Sequence, residues 1–424
     1  MKLRIRGGHV IDPANEIDEI KDLLSVDGVI TDREEDLDGS ERVIEAEGLV
    51  VCPGFIDVHA HFRDPGQTEK ETLLTGSAAA AAGGYSTVLL MANTVPPVDT
   101  VPIWEDIMKR GERSPVRILQ AAAVTLGRQG KELADLKALH RAGVRVFTDD
   151  GSPLADDALA EKAMEQAALL GVILSFHEEH PDFVKDAGVN AGYAAKKLGL
   201  EGAHRQAEIC LVERDLRLAL STGAVIDIQH VSTKEAVELI RRAKKKDSKG
   251  IIHAEAAPHH FSLTEEALGD HGTNAKVNPP LRTEADRLAI IEGLRDGTID
   301  LIATDHAPHT AGEKNKGFRE APSGMIGLQT ALSLGIMQLV KPGFISMAGL
   351  IRLMSSNPAL FYGLDSGRLD PGRPADITIF DPEEEWCFDR GTNCSKSENS
   401  PLFGQVLTGR VRHTIIGGKE VYPA

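Results

Sequence analysis

Aromatic residues are scarce in this 424-residue chain: Phe, Trp and Tyr together make up 4%. With 42% of residues hydrophobic, the core must be large and mainly aliphatic. Cysteine is rarer still. Cys52, Cys210, Cys387 and Cys394 are scattered, form no CxxC pair and offer no disulfide framework, so a reduced, cytoplasmic setting is expected. No run of about 18 apolar residues suggests a membrane span. The alternating start Met1-Lys2-Leu3-Arg4-Ile5-Arg6 is not the pattern of a signal peptide. Positive charge is in deficit. A net charge of −17 argues against the phosphate-neutralising surface of a nucleic-acid binder. The one clear basic run, Arg241-Arg242-Ala243-Lys244-Lys245-Lys246, closes a helical pattern and reads as a solvated helix end. Internal repeats, low-complexity tracts, a Ser or Cys triad and phosphate-binding glycine loops are also missing. Gly83-Gly84-Tyr85 reads as a helix C-cap, and the alanines at 78–82 as a tightly packed helix.

What is present has two textures. Residues 1–53 carry short alternating segments at 3–6, 10–11, 23–30 and 43–51, punctuated by Gly, Asp and Pro, and read as a β module. From Phe55 onward, apolar stretches alternate with helical patterns. Strands are expected at 55–62, 86–92, 116–124, 144–148, 172–176, 225–230, 251–257 and 301–304. Helices are expected at 69–82, 131–142, 156–170, 207–221, 234–246 and 284–296. Eight strands alternating with helices over roughly 250 residues fit a (β/α)8 TIM barrel better than a doubly wound open sheet. Strand-and-turn texture returns near 362, with a strand at 377–380 and a hairpin of 411–416 and 419–422 about Gly417-Gly418. The expected fold is α/β: a barrel over 54–361, with 1–53 and 362–424 joined in a small β-sandwich.

Polar residues gather at the expected strand C-terminal ends. His59 and His61 close the first strand, two apart and so on one face. Arg63 continues that face if the strand persists. Asn93 follows the second strand, Asp149 and Asp150 the fourth, His177 the fifth, His230 the sixth, and Asp305 with His306 the eighth. In a barrel these ends form the active face. Four His and two Asp there suit two borderline metal ions, most simply zinc, with a carboxylate able to bridge them. Strand alternation does not choose between Asp149 and Asp150. A cation beside the ligands suits a small anionic substrate. His259 and His260, on the expected seventh strand, read as packing or supporting groups. His180 and His204 read as surface residues.

The stretches at 53–66 (with Asp57-Val58-His59-Ala60-His61-Phe62-Arg63), 91–94, 147–151, 229–235, 278–282 and 303–309 together resemble the class I dihydroorotases of bacteria, a family of cyclic amidohydrolases. The resemblance implies two zinc ions per subunit, bridged by Asp150 and hydroxide. His59 and His61 would hold one, His177 and His230 the other, with Asp305 as metal ligand and proton shuttle. Related amidohydrolases often bridge with a carbamylated lysine, but 143–150 contains none. Arg63, Asn93 and His309 would take the substrate carboxylate and Asn278 the ring amide edge. The loop at 310–324 would be a mobile lid touching substrate through backbone at Pro322 and Gly324. Its usual Pro-Phe-Gly is Pro322-Ser323-Gly324 here, a lid without the aromatic ring. The implied reaction interconverts dihydroorotate and N-carbamoyl-L-aspartate in pyrimidine synthesis. The resemblance also implies a homodimer or larger homo-oligomer, and leaves open an association with aspartate carbamoyltransferase. The alternatives are a hydantoinase or allantoinase, and a non-catalytic scaffold for the transcarbamoylase.

Overall fold

Short, mainly apolar runs become parallel strands because both of their faces can be covered. The chain supplies eight: Phe55–Ala60, Tyr85–Leu90, Arg117–Gln120, Val146–Phe147, Ile173–Phe176, Val225–Ile228, Ile252–Ala256 and Leu301–Ile302. They come from a computed structural model that describes residues 2–36 and 39–423. The first three strands pair in order, as do the last five. Bridges Ala122↔Phe147 and Ala60↔His306 join the two sets, and the ring closes. Closure is reinforced by Asp57 of the first strand, which accepts from the Thr304 backbone N–H (2.8 Å) and hydroxyl (2.5 Å) after the eighth. All eight expected strands are present, each shorter than its apolar run.

Local signals place the helices between them. Asp156 accepts from Leu159 N to start Asp157–Leu170, and Gly171 ends it in the left-handed region. Thr233 accepts from Ala236 N at the head of Lys234–Lys244, whose basic last turn favours the helix dipole. The alanine-rich helix Leu73–Ala82 packs as expected, with Ala79, Ala80 and Ala81 buried. A Cβ on its Gly76 would stand 2.5 Å from the Phe62 ring, so only glycine lets this helix sit against the segment carrying His61 and Arg63.

The terminal segments form a β-sandwich module. Its hydrogen-bonded path runs Lys419–Tyr422, Gln405–Ile416, Ile377–Phe388, Val50–Pro53, Lys2–Asp12, Ile17–Val26 and Val29–Thr31, with Arg42–Glu45 also paired to Lys2–Asp12. Leu3, Ile5, Val10, Val51, Ile377, Ile379 and Ile415 supply its core. Three N-terminal expectations need correction. Segments 3–6 and 10–11 are one strand, interrupted by a bulge between Ile5 and Gly8. Segment 23–30 is a hairpin, because Asp27 and Gly28 both take positive φ. Segment 43–51 splits into two strands. Among the described residues, no helix is long and apolar enough to cross a membrane.

Candidate metal and substrate site

The strand ends converge on one buried cluster. Ligand-type atoms of His59, His61 and Asp150 lie within 4.8 Å of one another, as do those of Asp150, His177 and His230. Asp150 belongs to both groups. Its Oδ1 is 3.4 Å from His59 Nε2, 3.6 Å from His177 Nδ1 and 3.7 Å from His230 Nε2. Its Oδ2 is 3.5 Å from His61 Nε2. Asp305 Oδ1 is 3.1 Å from His61 Nε2 and 3.6 Å from His59 Nε2, and His177 Nδ1 is 3.0 Å from His230 Nε2. Two ligands at tetrahedral positions on one zinc ion stand about 3.3 Å apart. The donors therefore already have the spacing of metal ligands. His59 Nε2, fully buried, has no hydrogen-bond partner. An orphaned imidazole nitrogen facing two carboxylates fits a metal cation.

The charges agree. Burial opposes ionisation of Asp150, yet His59, His177 and His230 hold its carboxyl well below the usual carboxylate range. Burial likewise opposes ionisation of Asp305, and His61, His59 and His230 overcome it. Asp149 faces elsewhere. Its carboxylate accepts from Val124 N (2.8 Å), Thr125 N (3.2 Å) and the Thr125 hydroxyl, tying down a loop. Backbone strain also concentrates here. Of the six described non-glycine residues with positive φ, Arg63, Arg128, His230 and Asp305 belong to this site.

Arg63 arrives differently from expectation. The strand stops at Ala60, and a φ of +57° at Arg63 re-aims the side chain, because the ladder has no partner left to hold extended backbone. The guanidinium is buried. It donates to Pro308 O (3.3 Å) and approaches the His309 ring rather than pairing with a carboxylate. Burial lowers its pKa to about 10, so it remains a cation. His309 Nε2 donates to Ser323 O (2.9 Å), which leaves its Nδ1 bare. Asn278 Oδ1 is buried without a partner.

A cavity of about 420 Å³ connects these groups. Its wall includes His61, Arg63, Asn93, Asp150, His177, His230, Asn278, Asp305, His309, Pro322 and Gly324, so every expected site residue except the deeper His59 reaches it. The volume suits a small ligand. A larger groove of about 1060 Å³ lies outside the barrel, among Asp157–Leu170, Gln206–Thr222 and Lys234–Lys244, away from the donor cluster.

Asn93 has more to do than expected. Its Oδ1 accepts from His61 Nδ1 (2.9 Å) and its Nδ2 donates to Asp150 Oδ2 (3.1 Å), so it fixes two candidate ligands. His259 and His260 lie on the short helix Pro258–Ser262, not on the seventh strand, because Pro258 at a helix start ends the extended run. Both are buried. Burial pushes His259 down to about 4, and His260 Nε2 donates to Pro279 O (2.9 Å). Sequence reasoning missed several supports. Glu255 Oε1 accepts from His59 Nδ1 (3.2 Å), and Glu179 Oε2 lies 3.5 Å from His177 Nε2. Arg128 grips the Asp150 carbonyl. Only Glu179 carried a signal, standing two residues beyond His177 as His61 stands beyond His59.

The amidohydrolase family model matches residues 50–421. Over 422 residues the chain is 50% identical to a protein of Clostridioides difficile (strain 630) named dihydroorotase, covering 99% of both. It is 45% identical to the dihydroorotase of Aquifex aeolicus (strain VF5), covering 100% of this chain and 99% of the other. Among solved structures, the L-hydantoinase (dihydropyrimidinase) of Arthrobacter aurescens superposes with a TM-score of 0.87 at 24% identity. That match covers 99% of this chain and 95% of the other, and it establishes likeness of fold. The chain belongs to the amidohydrolase family, beside whole-length bacterial relatives named dihydroorotase.

Proposed function

We propose that this chain is a metal-dependent hydrolase of cyclic amides that interconverts dihydroorotate and N-carbamoyl-L-aspartate, the ring-closing step of pyrimidine synthesis. The observation that carries the reading is Arg63: a buried guanidinium with no carboxylate partner among the described residues, on the same cavity as the His/Asp donor cluster. Dihydroorotate supplies what each half lacks, a carboxylate for the fork and a ring amide for the donor cluster.

In this reading His59 and His61 would hold one zinc ion and His177 and His230 a second, with Asp150, which belongs to both donor groups, as the shared carboxylate. Such ions acidify water and polarise a carbonyl. Glu255, Asn93 and Glu179 keep the imidazoles turned so that their free nitrogens face inward. Arg63, with the Asn93 amide N–H, receives the substrate carboxylate, His309 shapes that end of the cavity by holding Ser323 O, and Asn278 Oδ1 accepts from the ring N–H. Backbone at Pro322 and Gly324 closes the outer side. The attacking water adds to the ring amide carbon and gives a proton to Asp305, which is ionised and 3.1 Å from His61. As the C–N bond breaks, Asp305 returns that proton to the leaving nitrogen. Ring closure runs the same steps backwards. Residues 54–361 form the catalytic barrel, with 1–53 and 362–424 as its β companion. The reading includes a cytoplasmic homo-oligomer.

The test is a substrate panel with metal quantitation on one sample. Dihydroorotate turnover with bound zinc is expected. Ring opening of hydantoin or allantoin, but not dihydroorotate, would favour the hydantoinase reading suggested by the fold likeness. No bound metal, with no activity after zinc addition, would favour a scaffold.

A further inference from the structure

Lysine ammonium groups rarely leave water without a counter-charge. Two do so beside this cavity. Lys276 and Lys314 are 3% and 4% exposed. Neither ammonium donates to a carboxylate; both donate to backbone carbonyls of one segment. Lys276 Nζ donates to Phe318 O (2.5 Å) and Ala321 O (2.6 Å). Lys314 Nζ donates to Pro322 O (3.0 Å) and Gly324 O (2.9 Å), and lies 3.5 Å from Lys276 O. Four of the seven carbonyls from 318 to 324 are held in this way. The same segment supplies Arg319 to Gly324 to the cavity wall.

We infer that Lys276 and Lys314 are positioning residues, a pair of buried cations that latch the cavity-facing loop and decide which of its backbone groups meet the substrate. The consequence can be followed atom by atom. Lys314 takes the Pro322 and Gly324 oxygens, His309 donates to Ser323 O, and Gly324 N donates to Lys276 O (2.8 Å). In a trans peptide the N–H points opposite to the carbonyl. Holding Pro322 O at Lys314 therefore turns the Ser323 N–H to the other side, where it has no acceptor among the described residues. That N–H is left free for an anionic or carbonyl group of the ligand. It also explains how the loop accommodates Ser323 without an aromatic ring. The shape comes from cations underneath, not from a side chain packed on top. Burial lowers both ammonium groups, Lys314 to about 7 with Lys276 adding to the fall, and Asp186 and Glu313, to which neither donates, oppose it only in part.

The latch rests on the dihydroorotate reading only for its kinetic readout. The full chain, loaded with zinc, is compared with Lys314→Met and Lys276→Met. In each variant KM for dihydroorotate should rise about tenfold or more while kcat changes less than about threefold, the pattern of lost ligand binding without lost chemistry. Trypsin should cut after Lys316 or Arg319 at least about tenfold faster than in the wild type, the loop being released by local opening. Unchanged KM and unchanged cleavage in both variants would overturn the latch. So would a fall in kcat at constant KM. Should neither variant fold, hydrogen exchange on the wild type decides: slow exchange at Gly324, whose N–H the latch buries, supports it, and exchange as fast as in an open loop refutes it. A wild type inactive on dihydroorotate sinks the functional reading instead, and cleavage and exchange still judge the latch.

Discussion

Asp57 lies on the barrel floor just beneath the mouth, two residues before His59, and Asp150 lies at the mouth; both are buried, yet their charges go opposite ways. Burial pushes the Asp57 carboxyl up to about 7, helped by nearby Glu255 and only partly opposed by Thr304. Asp227, on the same floor, is pushed well above its usual range by burial and by Glu255, with Ser175 and Tyr362 as hydroxyl donors. Asp150 at the mouth is held well below it by three imidazoles. Burial alone therefore does not make a functional carboxylate; its neighbours decide. On the floor, neutral hydroxyls and amides knit strands together. At the mouth, imidazoles and carboxylates cluster at 3.0–3.7 Å with an orphaned nitrogen among them, a set whose chemistry fits a cation.

The contrast breaks most sharply at Asp305. Asp305→Ala should lower kcat by about 1,000-fold, as loss of a positioned proton carrier does. Elemental analysis should find metal largely retained, since four imidazoles and Asp150 remain. Near-normal turnover would remove Asp305 from the chemistry. Arg63→Met comes next. Losing a charge-assisted fork should cost about 100-fold in kcat/KM for dihydroorotate. Arg63→Lys should fall between, because it keeps the charge without the fork. If neutral hydantoin were affected equally, the guanidinium would be structural.

Much of this molecule was legible in its sequence. The barrel strands could be read because most are mainly apolar runs with both faces covered, Arg117–Gln120 with its exposed Arg117 being the weakest of them. Helix limits could be read because Asp156, Thr233 and Gly171 cap where short polar residues and glycine should. Strand ends could not. Nothing in Phe55–Ala60 announces that pairing stops before His61, so the turn at Arg63 was hidden. The Asp27-Gly28 turn was masked by Val26 and Val29 on either side. Candidate ligands were legible as chemistry at strand ends, whereas the choice between Asp149 and Asp150 depended on where each carboxylate points. Glu255 and Lys276 were illegible for another reason: their partners lie 196 and 42 residues away, and the partners of Lys314, though only 8 and 10 residues on, are backbone carbonyls whose direction no side chain announces.

Glu255 joins the two ends of the comparison, sitting in the floor's acidic group while accepting from His59 at the mouth. Glu255→Gln keeps an acceptor but removes the charge. Zinc affinity, measured by chelator competition, should fall about 10–100-fold. Glu255→Ala should fall further, and excess zinc should restore turnover in both. Unchanged affinity would mean that His59 is oriented by packing alone.

The smallest effect is expected at Asp57, where the comparison is most exposed to failure. The carboxylate accepts twice from Thr304, on Oδ1 from the backbone N–H and on Oδ2 from the hydroxyl. Asp57→Asn keeps one accepting oxygen and turns the other into a donor. The Thr304 hydroxyl can rotate, and its oxygen already accepts from His306 N (3.1 Å). The variant should therefore lose about 1–3 kcal/mol of stability, the cost of one unsatisfied buried group. Since those bonds tie the first strand to the eighth, the loss should appear as a lower denaturation midpoint for the barrel. Bound metal and kcat should stay within about twofold, because Asp57 reaches His59 only at its backbone N–H (3.4 Å) and touches no ligating side-chain atom. Metal loss at unchanged stability would mean that the floor sets the charge of the mouth, and the division drawn between Asp57 and Asp150 would fail.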